Sequence, residues 1–352
     1  MTRRTASLVL AGLVALVPEA APTALWAQPA AAATAGQVEV RYGEWIDAAR
    51  AGRVVPYKLY LPKGAGPFPV IVHSHGLGGN REASTYILQA VAEAGFVVVC
   101  LQHAGSDSGL LAGAPRPITE AGVVSAGRAG MNQQAAQARY GDIPFAVDQL
   151  DRESQAGSPL AGKLDLTRVG MSGHSYGALA TLVASGRRVL GAQPPTRFAE
   201  PRIKAAIAYS PNKPRGDDPN AAFAAVKTPM LHFTGTADVT PFDLEKTAFE
   251  RTTPYQAIQS ADQYLIVLDG ADHGVFGGRR GAGGQLKPSD PPQMEIIKAE
   301  TVLFWRAYLK DDAAAARALC ELPKRIDPAG DGYVKAARCG PPTPIAPVDG
   351  VR

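Results

Sequence analysis

From about residue 54 onward the chain alternates short apolar runs with segments of helical period. Residues 57–61 switch between polar and apolar at every second position, the pattern of an outer strand. Residues 68–74 (FPVIVHS) and 96–102 (FVVVCLQ) are continuous β-branched and aromatic runs, as strands covered on both faces require. Between them Ile87, Leu88, Val91 and Ala94 recur at helical spacing, and Gly95 stops the helix. Further strands are predicted over 168–173, 203–209, 230–234 and 264–268, with helices over 142–151 and from Tyr176. A last helix carries Ile297, Thr301, Phe304, Trp305 and Tyr308 on one face. This order predicts an α/β fold with a mostly parallel central sheet and helices on both faces, in one catalytic domain over 37–315. No internal repeat interrupts it.

Two segments break the alternation. Residues 105–137 are rich in Gly, Ala, Ser and Pro without a sustained period, which reads as a cap insertion over a pocket or as a plain surface loop. Residues 316–352 read as a tail, wrapped or frayed, rich in Pro and Ala after Pro341.

The first 27 residues read as an export signal: Arg3 and Arg4, an apolar run over 7–17, and a cut after Ala27, followed by a linker over 28–36. The apolar run is too short to span a bilayer, so no stable membrane insertion is expected, and Pro18, Pro22 and Pro29 would break a buried helix there. The expected location is periplasmic or secreted. In that oxidising setting Cys320 and Cys339 are expected to bridge and pin the tail, whereas Cys100, closing an apolar strand, reads as a small buried hydrophobe.

The net charge of +4 falls to +3 once Arg3, Arg4 and Glu19 leave with the signal, too small for a nucleic-acid footprint. With 46% hydrophobic residues the chain can bury a large core, which excludes global disorder.

The candidate chemistry begins at Gly173-His174-Ser175-Tyr176-Gly177, between a predicted strand and a predicted helix. A sharp strand-to-helix turn strains its central residue and leaves no space for side chains on either flank, so glycines stand there and Ser175 is lifted clear as a nucleophile. A serine hydroxyl needs a base. Of the six histidines, His273 alone lies in a loop after the last core strand, where the chain order serine, acid, base places it. The acid is expected on a loop after a late strand; Asp238 fits, with Asp269 and Asp272 as rivals that more naturally brace the turn of His273. An oxyanion hole is expected from the backbone N–H groups of Leu77, in the Gly-rich run His75-Gly76-Leu77-Gly78-Gly79, and of Tyr176. His75 is read as a brace of that run rather than a direct participant. Phe242 and Phe276 are candidate pocket residues.

The segments SHGLGG (74–79), CLQHAGSDS (100–108) and GMSGHSYGA (170–178) together resemble the plasma-type platelet-activating-factor acetylhydrolases and their dienelactone-hydrolase-like bacterial relatives, over roughly residues 50–310. The resemblance implies the α/β-hydrolase fold, Ser175 as nucleophile and Leu77 as oxyanion donor. The plasma enzymes carry their acid just after the strand that follows the nucleophile helix. Here that strand ends Ala208-Tyr209-Ser210-Pro211-Asn212, without a carboxylate.

The expectation is therefore an exported serine carboxylic-ester hydrolase acting through an acyl-enzyme on short-acyl or other small-molecule esters. Polyester or cutin hydrolysis and phospholipid deacetylation are the alternatives. No cofactor is expected, and the absence of an HExxH-type spacing argues against a metal.

Overall fold

The computed structural model describes residues 38–112, 119–240, 245–278, 284–326 and 333–339. The expected signal (1–27), the linker (28–36) and Phe242 lie outside the described residues. The strands are β1 (Val38–Asp47), β2 (Arg53–Pro62), β3 (Phe68–Ser74), β4 (Val97–Leu101), β5 (Leu164–His174), β6 (Ile203–Tyr209), β7 (Met230–Ala237), β8 (Gln263–Asp272) and β9 (Tyr333–Arg338). The helices are α1 (Thr85–Glu93), α2 (Glu120–Gly130), α3 (Gln133–Ser154), α4 (Tyr176–Ala184), α5 (Pro219–Phe223), α6 (Thr253–Ala257), α7 (His273–Phe276), α8 (Asp290–Leu309), α9 (Ala313–Cys320) and α10 (Leu322–Ile326). All the described strands join one sheet in the order β1-β2-β4-β3-β5-β6-β7-β8-β9. From β4 through β8 the neighbours run parallel, and only β1, β2 and β9 pair antiparallel.

The continuous apolar strands explain the layering. Side chains alternate across a strand, so Val70, Val72, Val97 and Val99 pack on one face with Tyr140, Ile143 and Val147 of α3 and Ala180 of α4. Ile71, Val98 and Cys100 point the other way, to Ile87 and Val91 of α1 and to Phe304 and Trp305 of α8. Each fully buried Val or Ile side chain contributes roughly 1.5–3 kcal/mol of transfer free energy. A run without polar interruptions is what a sheet covered twice demands.

Three segments differ from the sequence expectation. The stretch 105–137 is not a featureless loop. It forms a 3-10 turn over Ser108–Leu111, then α2, capped by the Thr119 side chain on Gly122 N, then the start of α3, capped by Asn132 on Ala135 N. Helix α3 starts nine residues before the expected helix because its first turns are Ala- and Gln-rich: strong helix formers with little polar-apolar contrast. At the other end the sheet extends past residue 315. Strand β9 runs antiparallel along β8, and Leu319, Leu322 and Ile326 of α9 and α10 join the α8 side of the core. Cys320 and Cys339 are joined by a disulfide that ties α9 to the end of β9. Strand β1, on the opposite edge, was likewise not expected.

Candidate active site

The carboxyl ends of the parallel strands gather the candidate residues, as open α/β sheets dictate. Ser175 stands between β5 and α4 at φ 57° and ψ −114°, outside the regions that L-residues prefer. Such a conformation costs of order 1–3 kcal/mol and persists only where its surroundings fix it. Here they do. A Cβ on Gly173 would lie 2.2 Å from the Gly177 carbonyl oxygen, and one on Gly177 would lie 1.9 Å from that of Ser74. Ser175 N–H donates to Tyr209 O at 2.9 Å, anchoring the turn to β6.

His273 opens α7 directly after β8. Its Nδ1–H donates to Asp238 Oδ1 at 2.8 Å, which leaves Nε2 to face away from the acid as an acceptor. Asp238 follows β7, is fully buried, and accepts also from Ser210 Oγ (2.9 Å) and Thr234 Oγ1 (2.9 Å). Arg251, itself buried, places Nε 2.9 Å from Asp238 Oδ1 and donates to the Asp238 carbonyl at 2.8 Å. Burial alone would raise the pKa of this carboxyl. The interactions with His273, Arg251 and Ser210 more than offset it and hold the group down at about 2. Asp238 is an anion fixed on three sides, suited to keep one tautomer of the imidazole and to stabilise an imidazolium.

The rivals for the acid are occupied elsewhere. Asp269 is exposed and accepts from Thr236 Oγ1 at 3.0 Å. Asp272 caps α7 through Gly274 N and pairs with Lys287. Ser210 fills the place after β6 where the acetylhydrolase resemblance puts its acid. It too sits at positive φ (55°), and its hydroxyl lies 2.8 Å from His273 Nδ1. His174, beside Ser175, donates from Nε2 to the His273 carbonyl at 3.0 Å. Burial, with His273 close by, keeps His174 well below the ordinary histidine range and hence neutral.

The second side of the site is the run after β3. Among the described residues neither Leu77 N–H nor Tyr176 N–H has an acceptor, and both residues line one cavity of about 620 Å³ together with Ser175 and His273. The His75 ring is spent inside the fold: Nδ1–H donates to Gly76 O (2.6 Å) and Nε2 accepts from His103 N–H (3.2 Å). Behind it lies a buried network without sequence precedent. The Arg139 guanidinium of α3 donates to the His75 carbonyl (2.5 Å), Ser74 Oγ (3.0 Å) and Ser106 Oγ (3.0 Å). Ser74 Oγ in turn meets His103 Nε2 (2.9 Å), whose Nδ1 meets Asp142 Oδ2 (2.9 Å). Arg53 clamps that carboxylate with two contacts of 2.7 Å. Burial would raise the Asp142 pKa, but Arg53 and His103 bring it down to about 2.

Phe276 was expected along the pocket and is not. Helix α7 turns it inward, where it is fully buried in the core shared with α8. The 105–137 segment contributes Ser108, Met131 and Ala136 to the cavity wall.

Comparison with curated proteins gives no match. A family model described as PET hydrolase-like matches residues 55–335, from the third residue of β2 through all of β3 to β8 and into β9. Fold, strand order and family match agree: the chain belongs to the PET hydrolase-like family, within the α/β-hydrolase superfamily of serine esterases.

Proposed function

We propose that this ester hydrolase works by two-step acyl transfer on Ser175. His273 Nε2 takes the hydroxyl proton as Oγ attacks the ester carbonyl, and Asp238 holds the ring and balances the charge it gains. The N–H groups of Leu77 and Tyr176 receive the oxyanion. The imidazolium then protonates the departing alcohol, and water, deprotonated by the same ring, releases the acid and restores Ser175. The observation that carries this reading is a strained serine and a carboxylate-held imidazole opening on one cavity.

The substrate reading carried from the sequence is a short-acyl or other small ester. The family match favours the polyester alternative over the phospholipid one. We propose also that the chain is exported to the periplasm or beyond, which the Cys320–Cys339 bridge supports.

An organophosphate that phosphorylates active-site serines tests the mechanism. The expected result is stoichiometric labelling at Ser175 with loss of p-nitrophenyl butyrate hydrolysis, and neither in Ser175→Ala. Labelling elsewhere, or activity surviving in that variant, overturns the assignment. Release of soluble acid from an amorphous polyester film, set against cleavage of p-nitrophenyl acetate, butyrate and palmitate, then decides between the substrate readings.

A further inference from the structure

Beyond the reacting groups, the cavity walls carry an unequal charge. Four cations line it, Arg187, Arg188, Lys213 and Arg215, against one carboxylate, Asp217. Two of the cations are matched: Arg188 forms a fork on Asp217, and Lys213 pairs with Glu250. Among the described residues the side chains of Arg187 and Arg215 make no hydrogen bond or ion pair.

Arg187 is the informative one. Its Nε is buried without a partner, and its guanidinium carbon lies 5.9 Å from the centre of the Phe223 ring. Its backbone is fixed at the exit of α4. Gly186 stands at φ 112°, Arg187 N–H donates to Leu182 O (2.9 Å), and Arg188 N–H donates to Ala222 O (2.9 Å). Arg215, exposed on the same cavity, acts on Arg187 as a like charge, Asp217 acts on Arg187 in the opposite sense, and both cations act on Tyr140, which also lines the cavity. Arg187, half-buried with its Nε–H unpartnered, carries an unmet donor that an arriving oxyanion would satisfy, with Arg215 adding charge on the same wall. A guanidinium keeps its charge under such burial and offers a planar fork that suits an oxyanion. Leu77, Met131, Leu179 and Val189 give the cavity an apolar stretch of wall.

We infer that the cavity holds an oxyanion subsite formed by Arg187 and Arg215, and that the preferred substrates are esters with an apolar body and an anionic terminus, a carboxylate or a phosphate. This rests on the ester-hydrolase reading above. Hydrolysis of a diacid diester, or of a polyester within its chain, leaves a carboxylate on a fragment that still carries an ester, so chain ends and half-esters are substrates of this class.

The test separates the subsite from the chemistry. In kinetics, the p-nitrophenyl half-ester of glutarate is compared with p-nitrophenyl butyrate. The wild type is expected to favour the half-ester at least tenfold in kcat/KM, and Arg187→Gln or Arg215→Gln to lower that ratio about tenfold. In binding, Ser175→Ala protein is titrated calorimetrically with glutarate, glycerol 3-phosphate and the neutral glutaramide. Heat from either anion and none from glutaramide supports the subsite, and the tighter anion names its chemistry. Equal binding of glutaramide and glutarate, or an unchanged ratio in both arginine variants, overturns it. Loss of butyrate hydrolysis in the wild type would instead fail the parent reading, while the titrations on Ser175→Ala still report on the subsite.

Discussion

A carboxylate beside an imidazole can act as an orienter only if it stays ionised and stays still, and the surroundings of Asp238 secure both. Arg251 supplies a buried opposite charge, and Ser210 and Thr234 supply neutral donors, so the group is anchored before His273 is counted. Amidation would remove the charge and present the ring with a donor where it needs an acceptor. Asp238→Asn is therefore expected to lower kcat by the ~10⁴ seen when such an acid is amidated. It should also destabilise the fold, since Arg251 would keep only the longer ion pair with Glu245, at 3.3 Å, to balance its buried charge. Asp269→Asn and Asp272→Asn should keep turnover of the wild-type order, because one reaches only Thr236 and the other caps α7. Initial rates on p-nitrophenyl butyrate for the three variants, with circular dichroism to confirm folding, check this; near-normal turnover in Asp238→Asn would exclude it as the acid.

At the scale of elements, the loop after β3 is held by a helix from elsewhere in the chain. Arg139 spans from α3 to the His75 carbonyl and to both Ser74 and Ser106, so it fixes the loop that carries the Leu77 N–H beside the Ser175 turn. Removing an oxyanion donor outright costs about 10²–10³ in kcat, and loosening one costs less. Arg139→Gln is expected to lower kcat about tenfold with little change in KM, since the loss falls on the transition state. Arg139→Lys, which keeps the charge without the fork, should lie between. A rise in KM at constant kcat would show that Arg139 serves binding instead. This network also marks the limit of what the sequence discloses. Strands β3 to β8 were legible because a sheet covered twice needs unbroken apolar runs, and Ser175 because its turn has no room beside it for anything but glycine. Edge strands β1 and β9 lack that signature. Ser210, Arg251 and Arg139 reach their partners across 13 to 65 positions, a distance no local pattern encodes. Phe276 misled for a related reason: proximity to His273 in the chain does not say which way a one-turn helix points its side chains.

For the molecule as a whole, these buried sites couple folding to acidity. His73, His75, His103 and His174 are almost or wholly buried. Burial is the first cause in each case, lowering His73 to about 3, His103 to about 4, and the other two well below the ordinary range. In the unfolded chain all four would titrate near ~6.5. Below that pH the unfolded state binds protons that the folded state refuses, so their contribution is fully present above pH ~6.5 and is lost as the pH falls toward the folded values. Each such histidine removes up to ~1.4 kcal/mol of stability per pH unit in that window. Asp142 and Asp238, held at about 2, act in the same direction at lower pH, their contribution fading as carboxylates protonate between about pH 4 and 2. Urea unfolding is thus expected to give a constant free energy from pH 8 to 7 and a steep decline from pH 6.5 to 4, steeper than one histidine alone produces. Replacing His73, whose only described side-chain contact is Ser172 at 2.9 Å, by Gln should flatten that decline by up to one histidine's share. A stability that stayed level from pH 6.5 to 4.5 would mean that the interior admits the protons, and that the neutral bracing beside the Ser175 turn by His174 and of the loop after β3 by His75 does not hold.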